Sequence, residues 1–244
     1  METLSSSTAA QLPLRAEAMG ECEACALDRI CHARVDAEPV QAGVPRTRRL
    51  VRQGDTIYRA GDALHNLYLL RSGSVKIRAT NPAGLEQITA FPVAGAVLGL
   101  DAIETGTHTS DAIALEDSLV CILPFCDLMR NCRQDFIAAQ QFNRLISHDI
   151  NESRDLLMAL GCMTTEERVA HFLIGISERM TANGYSPREF ILKMTRQDIA
   201  NHLGMKVETV CRVFARLQAA ALVRVHRRQL QIRNIDALRK ISCG

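Results

Sequence analysis

At 244 residues, with 47% hydrophobic and 23% charged residues, the chain has ordinary globular composition and room for two modest domains with cores of their own. Its size argues against a small disulfide-stapled scaffold, no run is long and apolar enough to cross a bilayer, and METLSSSTAAQLPLRAEAMG lacks the basic-then-apolar pattern of a secretory signal. We therefore expect a cytoplasmic chain with reduced thiols and no membrane association.

The net charge of +2 conceals an asymmetry. From Phe190 to Gly244 there are eleven Lys or Arg against three acids, a local +8, while the rest carries eighteen against twenty-four, or −6. A basic C-terminal unit on an acidic body suits a polyanion, because neutralising phosphates releases counterions; charge alone also allows a solvated basic face.

In chain order, the first informative feature is Cys22, Cys25 and Cys31, spaced C-x2-C-x5-C. Three thiols this close can face one point only around a metal or cluster. Thiolates select zinc or iron-sulfur over hard cations, and the spacing leaves both open. A fourth ligand could come from Cys121, Cys126 or Cys132, or from His32 around zinc. Cys121 is preferred because it is read as lying near the end of a strand.

From Leu50 to Leu123, short apolar segments (56–58, 67–70, 74–78, 87–90, 96–98, 112–114 and 119–123) alternate with turn residues such as Gly54-Asp55, Ser72-Gly73 and Pro82-Ala83-Gly84. That cadence predicts an antiparallel barrel or jelly roll. After Pro124 the apolar period lengthens to about three and a half residues. Phe142, Leu145, Ile146, Asp149, Ile150, Ser153, Leu156, Leu157 and Leu160 form one stripe of a helix predicted from Arg133 to Leu160 and ending at Gly161. Phe142, Leu145, Ile146, Asp149, Ile150, Ser153, Leu157 and Leu160 are expected to form a seam between two parallel helices of a homodimer, weakened by Asp149 and Ser153. The stripe could instead lie on its own barrel.

Thr164 and Glu167 have capping-box spacing and open the next helix, which Asn183-Gly184 ends. Phe190–Met194 reads as a strand. Thr195 caps a short helix, Gly204-Met205 turns the chain, and a second helix runs over about Val207–Ala219. This predicts a helix-turn-helix, with Ala200 where the helices cross and Val210, Phe214 and Leu217 inside. Val223–Arg233 predicts a β-hairpin wing with a basic tip. On the second helix Val207, Glu208, Thr209, Cys211, Arg212 and Arg216 are candidate DNA contacts, since Arg pairs with guanine and Glu accepts from cytosine.

With these pieces in place, the chain resembles the CRP/FNR superfamily of transcription regulators, and within it the oxygen-sensing FNR/ANR branch. The resemblance rests on C-x2-C-x5-C, GLEQIT (84–89), LGLDAI (98–103), Val120-Cys121, SPREF (186–190) and VETVCR (207–212). It implies a 4Fe-4S cluster on Cys22, Cys25, Cys31 and Cys121, with zinc as the alternative. It also implies homodimeric binding to double-stranded palindromic DNA with half-sites resembling TTGAT, and loss of activity when oxygen degrades the cluster. RNA polymerase is an implied partner, met by loops near Ser72-Gly73, Pro82–Leu85 and Tyr185–Arg188. The best-known relatives have a carboxylate where this chain has Ser153, and commonly a serine where it has Cys211.

The implied fold is α+β: an N-terminal segment (1–46), a cyclic-nucleotide-binding-like jelly-roll sensor (47–131), a dimerisation helix (132–161) and a winged helix-turn-helix (162–244). No cyclic nucleotide is expected, because the region where such proteins carry a phosphate-pairing arginine presents Asp101 and Asp111 instead. Haem is disfavoured because His65 and His108 read as surface residues. An enzyme is not expected either: the cysteine spacing is not C-x3-C-x2-C, no Gly-rich phosphate loop appears, and no nucleophile has a partner.

Overall fold

The computed structural model describes residues 47–242 and, before them, only the paired backbone strands β1 (Arg34–Val35) and β2 (Glu38–Pro39). Cys22, Cys25 and Cys31, with most of the expected segment 1–46, lie outside the described residues. No helix among the described residues is long and apolar enough to cross a membrane.

Eight strands follow: β3 (Thr47–Val51), β4 (Thr56–Tyr58), β5 (Asn66–Ser72), β6 (Val75–Thr80), β7 (Glu86–Ala90), β8 (Val97–Leu98), β9 (Ser110–Ala114) and β10 (Ser118–Pro124). They make two antiparallel sheets, ordered β3-β10-β5-β8 and β4-β9-β6-β7, which is the expected jelly roll. Val51, Tyr58, Leu70, Val75, Ala112 and Val120 fill its interior. In β5, Leu70 faces this interior while Leu67 and Leu69 belong to a second cluster. Both faces of β5 are thus covered, which is why its sequence is continuously apolar rather than alternating. Gly73, at φ +94, makes the turn after it, and a Cβ there would lie within 2.9 Å of Ser118 Cα. Only glycine satisfies both the backbone angle and the close approach.

The helix predicted from Arg133 to Leu160 forms as α2 (Phe136–Cys162), preceded by a separate helix α1 (Phe125–Gln134). Asp135 breaks them with an extended backbone, and its carboxylate accepts from the Ile137 and Ala138 amides at 2.8 and 3.3 Å as the N-cap of α2. At the other end α2 runs through Gly161 instead of stopping there. Arg168 explains this: its guanidinium donates to the carbonyls of Leu160 (2.8 Å), Met163 (3.0 Å) and Leu203 (3.1 Å). It satisfies terminal carbonyls that a C-capping glycine would otherwise serve.

Helix α3 (Thr165–Ala182) starts at once, with the Thr164–Glu167 capping box formed as read. Strand β11 (Glu189–Ile191), helices α4 (Arg196–His202) and α5 (Val207–Ala219), the hairpin β12 (Val223–His226) and β13 (Gln229–Ile232), and helix α6 (Ile235–Ser242) complete the chain. The last helix was not marked in the sequence reading. Its Leu238 joins Val169, Leu173, Ile199, Val210, Leu217 and Leu230 in the core.

That core continues into the barrel through Ile88, Phe91 and Leu115. Phe91 stands edge-on to Phe172 and His202, with ring centroids 5.9 and 5.0 Å apart. His202 Nδ1 donates to the Ile88 carbonyl at 2.9 Å, so the ring is neutral there or gives up the solvation of a buried charge. Burial brings its pKa down to about 4, opposed by the Ile88 hydrogen bond and assisted by Arg179. An unfolded histidine takes its proton near pH 6.5, so between about pH 6.5 and 4 the unfolded state binds more protons. Stability is therefore full above pH 6.5 and falls as pH drops toward 4, by about 3 kcal/mol from this group. Urea midpoints at pH 7 and pH 4.5 should show a smaller acid loss for His202→Gln than for the wild type; equal losses would place the pH dependence elsewhere.

Candidate DNA-binding face and sensor site

Helices α4 and α5 cross over buried Ala200, with Val210, Phe214 and Leu217 turned inward as expected. Thr195 and Asp198 cap α4 reciprocally, and Gly204, at φ +60, carries the turn. Glu208, Cys211, Arg212 and Arg216 are exposed along α5. Val207 is half-buried against the core, and half-buried Thr209 accepts from Arg212 Nη2 at 3.3 Å. Arg216 lies 3.6 Å from Glu166 in an exposed pair, which is weak enough to yield to a phosphate.

The basic tip predicted for the wing forms at Arg227 and Arg228. Arg227 and Arg228 alone form the two-residue turn between paired His226 and Gln229, and both are exposed. Arg227 has φ +56, in the left-handed region where glycine or asparagine sits at lower cost. Holding an arginine there costs on the order of 1 kcal/mol and leaves two guanidinium groups at the tip of the wing.

The cysteines divide differently from expectation. Cys121 is the fourth of seven residues in β10, not near its end. It lies on the outer face of the sheet with Leu67, Leu69 and Leu123, and α1 and α2 cover that face through Leu128 and Phe142. Directly opposite it across the pairing is Arg48 of β3, and Thr47 faces Ile122. The chain coming from the N-terminal cysteines thus enters the barrel beside Cys121. Even with the paired β1 and β2 folding it back, the segment from Cys31 to Thr47 can span on the order of 40 Å. Cys126 is exposed, while Cys132 packs partly against the Cys121 cluster, where burial and then Asp135 raise its thiol pKa. Among the described residues, no three or more His, Cys, Asp or Glu side chains come together as a metal site.

The stripe on α2 also divides. Phe142 is buried, and Leu145 and Ile146 are half-buried, all against the Cys121 cluster of their own barrel. Asp149, Ile150, Ser153 and Leu157 are exposed, with Ile150 at 46% and Leu157 at 68%; Leu160 is half-buried near the joint. The expected seam therefore has its exposed part from Asp149 onward, and the alternative of packing on its own barrel describes the part before it.

A cleft of about 670 Å³ opens between the barrel, α2 and α3, with Tyr58, Asp101, Ser110, Asp149 and Arg179 among its walls. Asp101 is engaged on the protein itself: it accepts from Thr109 N (2.8 Å), Thr109 Oγ1 (3.1 Å), Ser110 N (3.1 Å) and Ser110 Oγ (2.9 Å), with His108 Nδ1 at 3.2 Å. His108, expected at the surface, is only 3% exposed and stacks on Tyr58 at 3.9 Å. Asp111, the second predicted acid, is paired with Arg78 at 2.7 Å. Asp149 faces the same cleft, where burial and then Asp101 raise its carboxyl pKa.

Comparison with known proteins agrees with this architecture. Residues 48–135 match the cyclic nucleotide-binding domain and residues 167–241 the Crp-like helix-turn-helix domain. The chain is 38% identical over 230 residues to the Fumarate and nitrate reduction regulatory protein of Escherichia coli, covering 91% of this chain and 90% of that one. It is 35% identical over 242 residues to the Transcriptional regulatory protein btr of Bordetella pertussis, covering 95% and 96%. The structure of FixK2 from Bradyrhizobium japonicum superposes with a TM-score of 0.75 at 27% identity, over 82% of this chain and 99% of that one. With its sensor barrel and its helix-turn-helix each matched, and regulators related to it over nine-tenths of its length, the chain belongs to the CRP/FNR family of DNA-binding transcription regulators and is not an enzyme.

Proposed function

We propose that this regulator responds to oxygen: as a homodimer it binds palindromic promoter DNA while Cys22, Cys25, Cys31 and Cys121 hold a 4Fe-4S cluster, and it loses DNA affinity when those thiols let go. The observation that carries the reading is the position of Cys121, which shares one apolar cluster with Phe142, Leu145 and Ile146 of α2 at the point where the N-terminal chain enters the barrel. The donor chemistry fits, since four thiolates are the usual ligands of such a cluster. When bound, a 4Fe-4S cluster would supply sensitivity to oxygen.

The remaining steps belong to the chain. Ligated Cys121 is fixed against the sheet, and the side chains packed around it hold the first half of α2 in one orientation. The exposed half, with Ile150, Ser153 and Leu157, then meets its symmetry mate, and two α5 helices are presented about one DNA turn apart. Released Cys121 loosens the same packing, and a modest change in differential stability shifts the population of the paired form. Glu208 and Arg212 read base edges, Arg227 and Arg228 meet phosphates, and the three exposed loops near residues 72–73, 82–85 and 185–188 serve RNA polymerase.

No cyclic nucleotide takes part in this scheme. Five donors at the phosphate-binding turn already converge on Asp101, and a second anion there would meet a carboxylate.

Anaerobic purification followed by iron, sulfide and zinc analysis tests the metal. The expected protein is coloured, carries iron and sulfide, and bleaches in air; Cys121→Ser lacks the colour, whereas Cys126→Ser and Cys132→Ser keep it. Colourless wild type with stoichiometric zinc would replace oxygen sensing by a structural zinc site. For DNA, Arg212→Ala should weaken binding to a TTGAT palindrome at least about tenfold at fixed salt, as loss of a bidentate base contact does. Undiminished affinity would remove Arg212 from the reading face.

A further inference from the structure

Strand β7 is the edge of its sheet, and an edge strand presents unpaired amides and carbonyls. Here the DNA-binding unit fills that edge. The Asn201 side-chain amide accepts from Ile88 N at 2.5 Å and donates to the Glu86 carbonyl at 2.9 Å, repeating the donor and acceptor pattern that another strand would offer. From the barrel side, Gln87 Nε2 donates to the backbone carbonyls of Asn201 (2.8 Å) and His202 (3.2 Å), and His202 Nδ1 donates to the Ile88 carbonyl.

The opposite end of α4 is fastened as well. Asp198 caps α4 with one carboxylate oxygen, accepting from Thr195 N and Oγ1 at 2.9 and 2.7 Å, and its other oxygen receives Lys76 of β6 at 2.6 Å. Helix α4 is only seven residues long, so these attachments lie near its two ends. Two separated points fix both the position and the rotation of a short rod. Because α5 packs on α4 over Ala200, fixing α4 on the barrel fixes the recognition helix on the barrel too.

We propose that this clasp on β7, made by Asn201 and His202 and answered by Gln87, determines the half-site spacing that the dimer accepts. In a dimer joined through α2, the distance between the two recognition helices depends on how each is set against its own barrel. Asn201 and Gln87 are positioning residues, since neither belongs to the base-reading face of α5. The inference rests on the dimeric DNA-binding reading and not on the identity of the metal.

The test uses full-length protein prepared anaerobically. Affinities are measured by fluorescence anisotropy for palindromes of the preferred spacing, for the same palindromes one base pair shorter and longer, and for a single half-site. Asn201→Ala and Gln87→Ala should each lose about tenfold on the preferred spacing, a change expected when part-buried interdomain hydrogen bonds are removed and their partners are left unpaired. Their loss on the altered spacings should be smaller, so that the preference among spacers shrinks, while half-site binding stays within about twofold of wild type. A merely structural defect would lower all four affinities together. Uniform loss, or a spacing preference kept by both variants, overturns the inference; Gln87→Ala alone decides it if Asn201→Ala does not fold. Failure of the wild type to bind any palindrome counts instead against the proposed function.

Discussion

The apolar layer on the outer face of the β3-β10-β5-β8 sheet makes one packing unit of Cys121, helix α1 and the base of helix α2. Protein interiors are close-packed, so a displacement at any member is felt by its neighbours rather than absorbed by empty space. Cys121 stands at the middle of β10, where its strand neighbours on both sides are paired, and it cannot shift alone without disturbing Leu69 or Phe142. A cysteine in a surface loop would report its ligation to nothing. Here the same side chains that bury the thiol also seat the first half of α2.

The DNA-binding unit is likewise held by specific groups and not by a loose tether. Arg168 joins the last carbonyls of α2 to the Leu203 carbonyl that follows α4, so one guanidinium ties these two helix ends together. Phe91 carries the barrel into the second core, and the β7 clasp fixes α4 from a different direction. The C-terminal end of α2 and strand β7 are therefore both attached to one short helix. The recognition helix rides on that helix.

Much of this was readable in the sequence because it depended on local rules. The turn cadence of the barrel, the Thr164–Glu167 capping box, the Thr195 cap and the Gly204 turn each follow from residue type and spacing, and each formed where read. The predicted start at Arg133 shifts to Phe136 because Asp135 caps the helix, a boundary that periodicity beginning at Phe142 does not fix. Periodicity likewise could not divide the α2 stripe. Phe142 and Leu157 have the same spacing, but one is buried under its own barrel and the other is 68% exposed. Asp101 was legible only as an acidic residue; that Thr109, Ser110 and His108 gather around it depends on a turn folding back. Asn201 gave no sign at all, because its partners lie more than a hundred residues earlier.

In the proposed scheme, ligation of Cys121 governs the order of the first half of α2. Hydrogen–deuterium exchange of the anaerobic, DNA-competent protein, before and after exposure to air, tests this most directly. The account predicts that amides around Phe142–Ile146 exchange faster once the iron is lost, with the change extending toward Leu157 as the pairing weakens. Unchanged exchange along the whole of Phe136–Cys162, in protein shown to have lost both its iron and its DNA affinity, would contradict it.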